Sequence, residues 1–136
     1  MLHVKPSEFT KDQIPLPFPG RDDLPAQDEL IKFFDYDPAT GSLKNRVNRG
    51  RAKAGDEAGT DLFMRHTHRH THYRRVWFKG KRYLAHVLIC VMMFGAMPQG
   101  LVVDHKNGIG HDNRIQNIRI VTQSENVKNR RQLSAA

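Results

Sequence analysis

Residues 84–94, LAHVLICVMMF, are the most apolar stretch of this chain. A helix that is apolar all round has to be buried, so whatever this chain folds into must close around that segment. Gly95 is a fitting C-terminal stop and Pro98 lies just beyond it. The run is too short to cross a bilayer, which takes about 20 apolar residues. Only 38% of the 136 residues are hydrophobic, so the core is small and one modest domain is expected. The flanking patterns predict what packs on it. Residues 26–35, AQDELIKFFD, put Leu30, Ile31, Phe33 and Phe34 on one helical face, with Asp28 and Glu29 in the first turn. DPATGS at 37–42 signals a turn, and a short strand is expected near 43–47, followed by a basic loop. YRRVWF at 73–78 is read as a strand, and Lys79-Gly80-Lys81 as the hairpin turn that returns it at 82–83.

The C-terminal third reads as strand, loop, strand, helix. Strands are expected at 101–104 and 117–121 with a Gly- and Asn-rich loop at 105–116. Thr122 and Glu125 match a capping box, which starts a helix at about 123–131. Residues 1–25 form an extended Pro-containing arm with Pro6, Pro15, Pro17 and Pro19. The expected organisation is therefore arm 1–25, a helix, basic hairpin and buried helix over 26–100, a strand-loop-strand-helix motif over 101–131, and a tail at 132–136. The fold class is α+β.

Charge is uneven. Residues 1–40 carry four Lys or Arg against eight Asp or Glu, residues 41–100 carry twelve against three, and residues 101–136 six against three. A basic middle and end suit a polyanion, most simply nucleic acid. A single cysteine, Cys90, excludes a disulfide framework within one chain and any cysteine-based zinc site. No signal peptide is read at MLHVKPSEF, and a cytoplasmic protein with no membrane association is expected.

Chemistry concentrates in VVDHKNGIGHDN, residues 102–113. Asp104 and the carbonyl of Asn126 are hard oxygen ligands suited to magnesium or manganese. Two protein ligands would leave positions for water and a phosphate, and His105 beside them titrates near neutrality and can take a proton from water. His66, His68, His70 and His72 alternate; they fit an exposed loop and edge strand better than a metal comb, with DNA contact a third reading beside Arg65, Arg69, Arg74 and Arg75.

Residues 101–130, LVVDHKNGIGHDNRIQNIRIVTQSENVKNR, closely resemble the HNH endonuclease motif in the form common in phage and intron-encoded homing endonucleases. DYDPATGSL and FKGKRYLAHVLI resemble that family's upstream segments, so the resemblance runs over roughly residues 29–131. It implies a ββα-metal core preceded by a small strand-hairpin and helix region, and hydrolysis of DNA, with nicking expected from one site per chain. Carried over by position, Asp104 and Asn126 would hold one Mg²⁺ or Mn²⁺, His105 would be the general base, and Asn117 would hold the base histidine's loop and orientation. Asn113 and His86 would be structural near the site. DNA contact is expected from Arg69, Arg74, Arg75, Lys79, Lys81, Arg82, Lys128 and Arg130, mainly to phosphates, and low sequence specificity is expected. Val87 stands where the family usually has Arg after the histidine. A homodimer and a phage protein partner reached through the N-terminal arm stay open, with the host cytoplasm the expected location for a phage-encoded chain. The rival reading is a DNA-binding or host-takeover protein with this fold and little or no catalysis.

Overall fold

The structure is a computed structural model and describes residues 20–65 and 70–135. Residues 1–19 of the expected arm therefore lie outside the described residues, as do His66, His68 and Arg69. In chain order the elements are α1 (Gln27–Phe33), β1 (Phe34–Tyr36), β2 (Leu43–Asn45), β3 (Thr60–Arg65), β4 (His70–Phe78), β5 (Lys81–Leu84), α2 (Ala85–Phe94), β6 (Val102–His105), a 3-10 turn (Ile115–Asn117), β7 (Ile118–Val121) and α3 (Gln123–Ala135). All strand pairs are antiparallel: β1 with β2, β4 between β3 and β5, and β6 with β7.

Helix α2 is the centre of the core. Eight of its ten residues are buried, and Gly95 ends it with φ +89° and its N–H on the Val91 carbonyl. Only glycine adopts that φ without strain. Around α2 pack Leu30 of α1, Phe34 and Tyr36 of β1, Leu43 of β2, and Val76 and Phe78 of β4. Phe33 and Phe34 meet Phe78 edge-on at 5.2 and 5.4 Å, the geometry ring quadrupoles favour. Arg49, in the basic loop, turns inward: its guanidinium covers the Phe34 ring at 4.7 Å and donates to the Trp77 carbonyl and the Asn45 side chain. Burial lowers its pKa from the usual guanidinium value. One of the loop's cations is thus structural.

Three differences from the sequence reading have local causes. The helix expected over 26–35 stops at Phe33, because Phe34, Asp35 and Tyr36 alternate buried, exposed, buried and pair with Asn45, Lys44 and Leu43. The strand expected at 73–78 begins at His70, and β3, which periodicity did not show, pairs with it from Thr60↔Arg75 to Arg65↔His70. The C-terminal helix runs to Ala135, through most of the segment read as a tail. Its start agrees with the capping box: the Glu125 N–H donates to Thr122 Oγ1, and the Thr122 N–H donates to Glu125 Oε1, both at 3.2 Å. The β4–β5 hairpin turns on Lys79 and Gly80, with φ +49° and +83°, the two positive values a two-residue hairpin loop needs. Among the described residues no helix is long and apolar enough to cross a membrane.

Candidate active site

The β6–β7 hairpin lies against α3, and its register decides what surrounds Asp104. Arg119 is the direct cross-strand partner of Asp104, so both side chains stand on one face. Arg119 Nε donates to Asp104 Oδ2 at 2.8 Å, and Asn129 Nδ2, from α3, donates to Oδ1 at 3.0 Å. The carboxylate is 2% exposed. A buried charge of this kind is tolerable only when paired and hydrogen-bonded, and each oxygen here has one donor and keeps lone-pair capacity.

His105 is buried too. Its Nε2 lies 2.9 Å from Asn113 Oδ1. An amide oxygen only accepts, so Nε2 carries the proton and Nδ1 holds the lone pair. Among the described residues Nδ1 has no hydrogen-bond partner and is not sealed from solvent. Burial draws the His105 pKa below the usual imidazole value, against the Asn113 hydrogen bond and the Asp104 and Asp112 charges, which raise it.

The loop that carries Asn113 is built by Asn117. Its Oδ1 accepts the Asn107 N–H, and its Nδ2 donates to Asn107 Oδ1 and the Asp112 carbonyl, at 2.8–3.0 Å. Asn117 acts on the loop, while the direct contact to His105 comes from Asn113. Asp112 is clamped by the Arg114 guanidinium through two bonds of 2.8 Å, and by Asn107 Nδ2. The Arg114 guanidinium holds the Asp112 carboxyl at about 2, well below the usual carboxylate range. A depressed folded-state pKa adds stability above the unfolded value, near 3.9, and the contribution disappears as pH falls through the folded one. Asp112→Asn should therefore lower the melting temperature at pH 5–7, and its deficit should shrink as the pH falls from about 4 to about 2. Thermal melts of both proteins across that range test this; a constant deficit would refute it.

From upstream, the turn at 37–41 presses on the same loop. The Tyr36 hydroxyl donates to the Asn113 carbonyl at 2.5 Å, and the Ile115 N–H donates to the Pro38 carbonyl at 3.0 Å. From β4, Thr71 Oγ1 accepts the Gly110 N–H at 2.9 Å, and Tyr73 sits 5.9 Å from the His105 ring and 5.4 Å from His86.

Asp104, His105, His86, Tyr73 and Asn126 line one cavity of about 500 Å³, together with Arg21 and Gln123. Asn126 thus opens on the same space as Asp104, although the helix residue bonded to Asp104 is Asn129. The donors on offer to a cation are hard oxygens, Asp104 carboxylate and Asn126 amide, and they fit a magnesium-type ion that keeps most of its shell as water and phosphate. Among the described residues no three His, Cys, Asp or Glu side chains cluster as a closed metal site.

The cations expected to contact DNA are elsewhere. Arg74 is tied to the Ala58 and Gly59 carbonyls, and Arg75 is half-buried. Lys79 pairs with Glu29 at 2.9 Å, Arg82 stacks on exposed Trp77 at 5.4 Å, and Lys81 and Lys128 are exposed. None of these lines the cavity; Arg21 does. Arg69 lies outside the described residues, and so does the side chain of Arg130. His72 is exposed and pairs with Asp61 at 2.6 Å.

Four site residues escaped the sequence reading. Arg119 could have been found by counting the hairpin register back from Asp104, and Asn129 by its three-residue spacing from Asn126, which places both on one helix face. Thr71 and Tyr73 had no such signal, since nothing local says that β4 passes over this loop.

A β-hairpin whose first strand ends in Asp-His, joined by an Asn-braced loop and packed on a helix that presents Asn, makes a ββα module. Residues 83–128 match the HNH endonuclease family. The chain is 43% identical over 51 residues to DNA endonuclease I-HmuI of Bacillus phage SP01; the match spans 38% of this chain and 29% of that protein's length. A solved structure of DNA binding and cleavage by the HNH homing endonuclease I-HmuI aligns with 76% of this chain and 55% of that one, with a TM-score of 0.46 and 24% identity.

Proposed function

We propose that this chain is a phage-type, metal-dependent HNH DNA endonuclease that hydrolyses phosphodiester bonds and nicks one strand per event. The observation that carries this reading is the pairing of His105 Nε2 with Asn113, which leaves Nδ1 free at the cavity that Asp104 and Asn126 also line. His105 accepts the proton of an attacking water at Nδ1, and Asn113 keeps the ring in the tautomer that can do so. Asp104 and Asn126 would hold one Mg²⁺ or Mn²⁺, which when bound supplies charge stabilisation at the phosphate. Arg119 and Asn129 fix the Asp104 carboxylate, and Asn117 keeps the loop closed behind His105. Exposed Lys79, Lys81, Arg82 and Lys128 would meet the DNA backbone electrostatically. With one site per chain, cutting both strands would take a homodimer or two events. The organisation that goes with this is a DNA-contacting region over 26–100 and a catalytic motif from 101. A phage protein partner would be reached through the arm at 1–25.

One observation favours the rival, a DNA-binding protein without cleavage: Asp104 is already paired with a guanidinium, which competes with a cation. The two readings separate on supercoiled plasmid with Mg²⁺, Mn²⁺ or EDTA. The endonuclease produces nicked circles with a metal and none with EDTA, and Asp104→Ala stops nicking but not binding. Retained binding with no cleavage under any metal would establish the rival.

A further inference from the structure

The HNH reading leaves one buried group without a use. His86 is the single polar residue of α2, and it is 6% exposed. Among the described residues its Nδ1 is sealed from solvent and has no hydrogen-bond partner. Its ring meets the His105 ring edge-to-face at 4.8 Å and borders the cavity.

We propose that His86 contacts the substrate directly, its Nε2–H donating a hydrogen bond to a non-bridging oxygen of the phosphodiester that enters the cavity. The tautomer follows from burial. A neutral imidazole has one N–H and one lone pair. Burying an unpaired donor is rarer and worse than burying an unpaired acceptor, so sealed Nδ1 holds the lone pair and Nε2 the proton. Among the described residues Nε2 has no protein partner and is not sealed, so it is the ring nitrogen left for something in the cavity. That something must accept a hydrogen bond beside a base and a metal-type carboxylate, which is what a phosphate oxygen does. Burial and the neighbouring His105 hold the His86 pKa well below the usual imidazole range. The ring is therefore a neutral donor. It places no positive charge beside His105 and cannot take the proton that His105 must take. A polar residue in the core has a cost, and contact with the substrate phosphate is what that cost provides.

This inference rests on the endonuclease reading, and the test distinguishes their failures. Glutamine can place an amide N–H where Nε2 stands, and asparagine only where Nδ1 stands. Wild type, His86→Gln and His86→Asn are compared by single-turnover nicking of supercoiled plasmid with Mn²⁺, by duplex binding in EDTA, and by thermal melting. His86→Asn is expected to slow nicking by about 10- to 100-fold, the loss of one hydrogen bond to a charged group, with duplex binding retained. His86→Gln is expected to recover most of the rate. A role in packing alone predicts that both variants fall together, or that neither falls, and either result overturns the proposal. A wild-type protein that binds but never nicks overturns the endonuclease reading and this one with it.

Discussion

His105→Ala will lower the rate of metal-dependent plasmid nicking by about 10²–10⁴-fold, the usual contribution of a positioned general base, and will leave duplex binding intact. His105 Nε2 is committed to Asn113, so Nδ1 is the nitrogen that can receive a proton. Among the described residues lining the cavity, Asp104 is engaged by Arg119 and Asn129, and His86 Nδ1 is sealed from solvent. Asn113→Ala should give a smaller loss, because the base is present but its tautomer and orientation are no longer held. Single-turnover rates on supercoiled plasmid measure both. If His105→Ala nicks at the wild-type rate, His105 is not the base, and the assignment of this cavity as the active site fails. If Asn113→Ala loses more than His105→Ala, Asn113 acts in some way other than through the imidazole.

Much of this architecture could be read from the sequence because the signals were local. The capping box at Thr122, the Lys79-Gly80 turn and Gly95 after the apolar run all act within a few residues, and each stands where expected. The candidate site was readable as a set of residue types for a related reason: Asp104 and His105 are adjacent, and Asn113 and Asn117 follow within a dozen residues. Their division of labour was not. Whether Asn113 or Asn117 bonds to His105 depends on how the loop folds back, and by sequence Asn113 had only a structural part. Strand β3 was missed because its alternation is weak. Thr60 and Asp61 are exposed and Leu62 is half-buried, so its partner β4 supplies the order. The basic residues show the same limit from another side. Composition counted Arg49 and Arg74 as free cations, whereas the fold uses one against aromatic rings and the other to bind carbonyls. Charge counts do not distinguish a guanidinium facing solvent from one folded into the domain.

Gly41→Ala is expected to destabilise the protein by about 2–4 kcal/mol, combining left-handed backbone strain with overpacking, and to lower nicking even where the variant is fully folded. Gly41 has φ +80°, and a Cβ there would lie 2.5 Å from the Arg114 nitrogen and 2.6 Å from the Asn113 carbonyl carbon. Those are backbone atoms, so no side chain can swing aside to relieve the contact. The loop carrying Asn113 must move, and with it the amide oxygen that holds His105. Gly50 supplies the control. It has φ +55°, but a Cβ there would meet nothing within 4 Å, so Gly50→Ala should cost only the strain, about 1 kcal/mol, and leave nicking unchanged. Thermal melting should separate the two variants by several degrees, about what a further 1–3 kcal/mol produces in a domain of this size. Equal melting temperatures and equal nicking rates would mean that the 37–41 turn does not brace the catalytic loop. The expected split, in stability and in rate together, would mean that residues far upstream of the Asp-His pair set the position of His105, and that the β6–β7 hairpin depends on the preceding β1–β2 turn for its geometry.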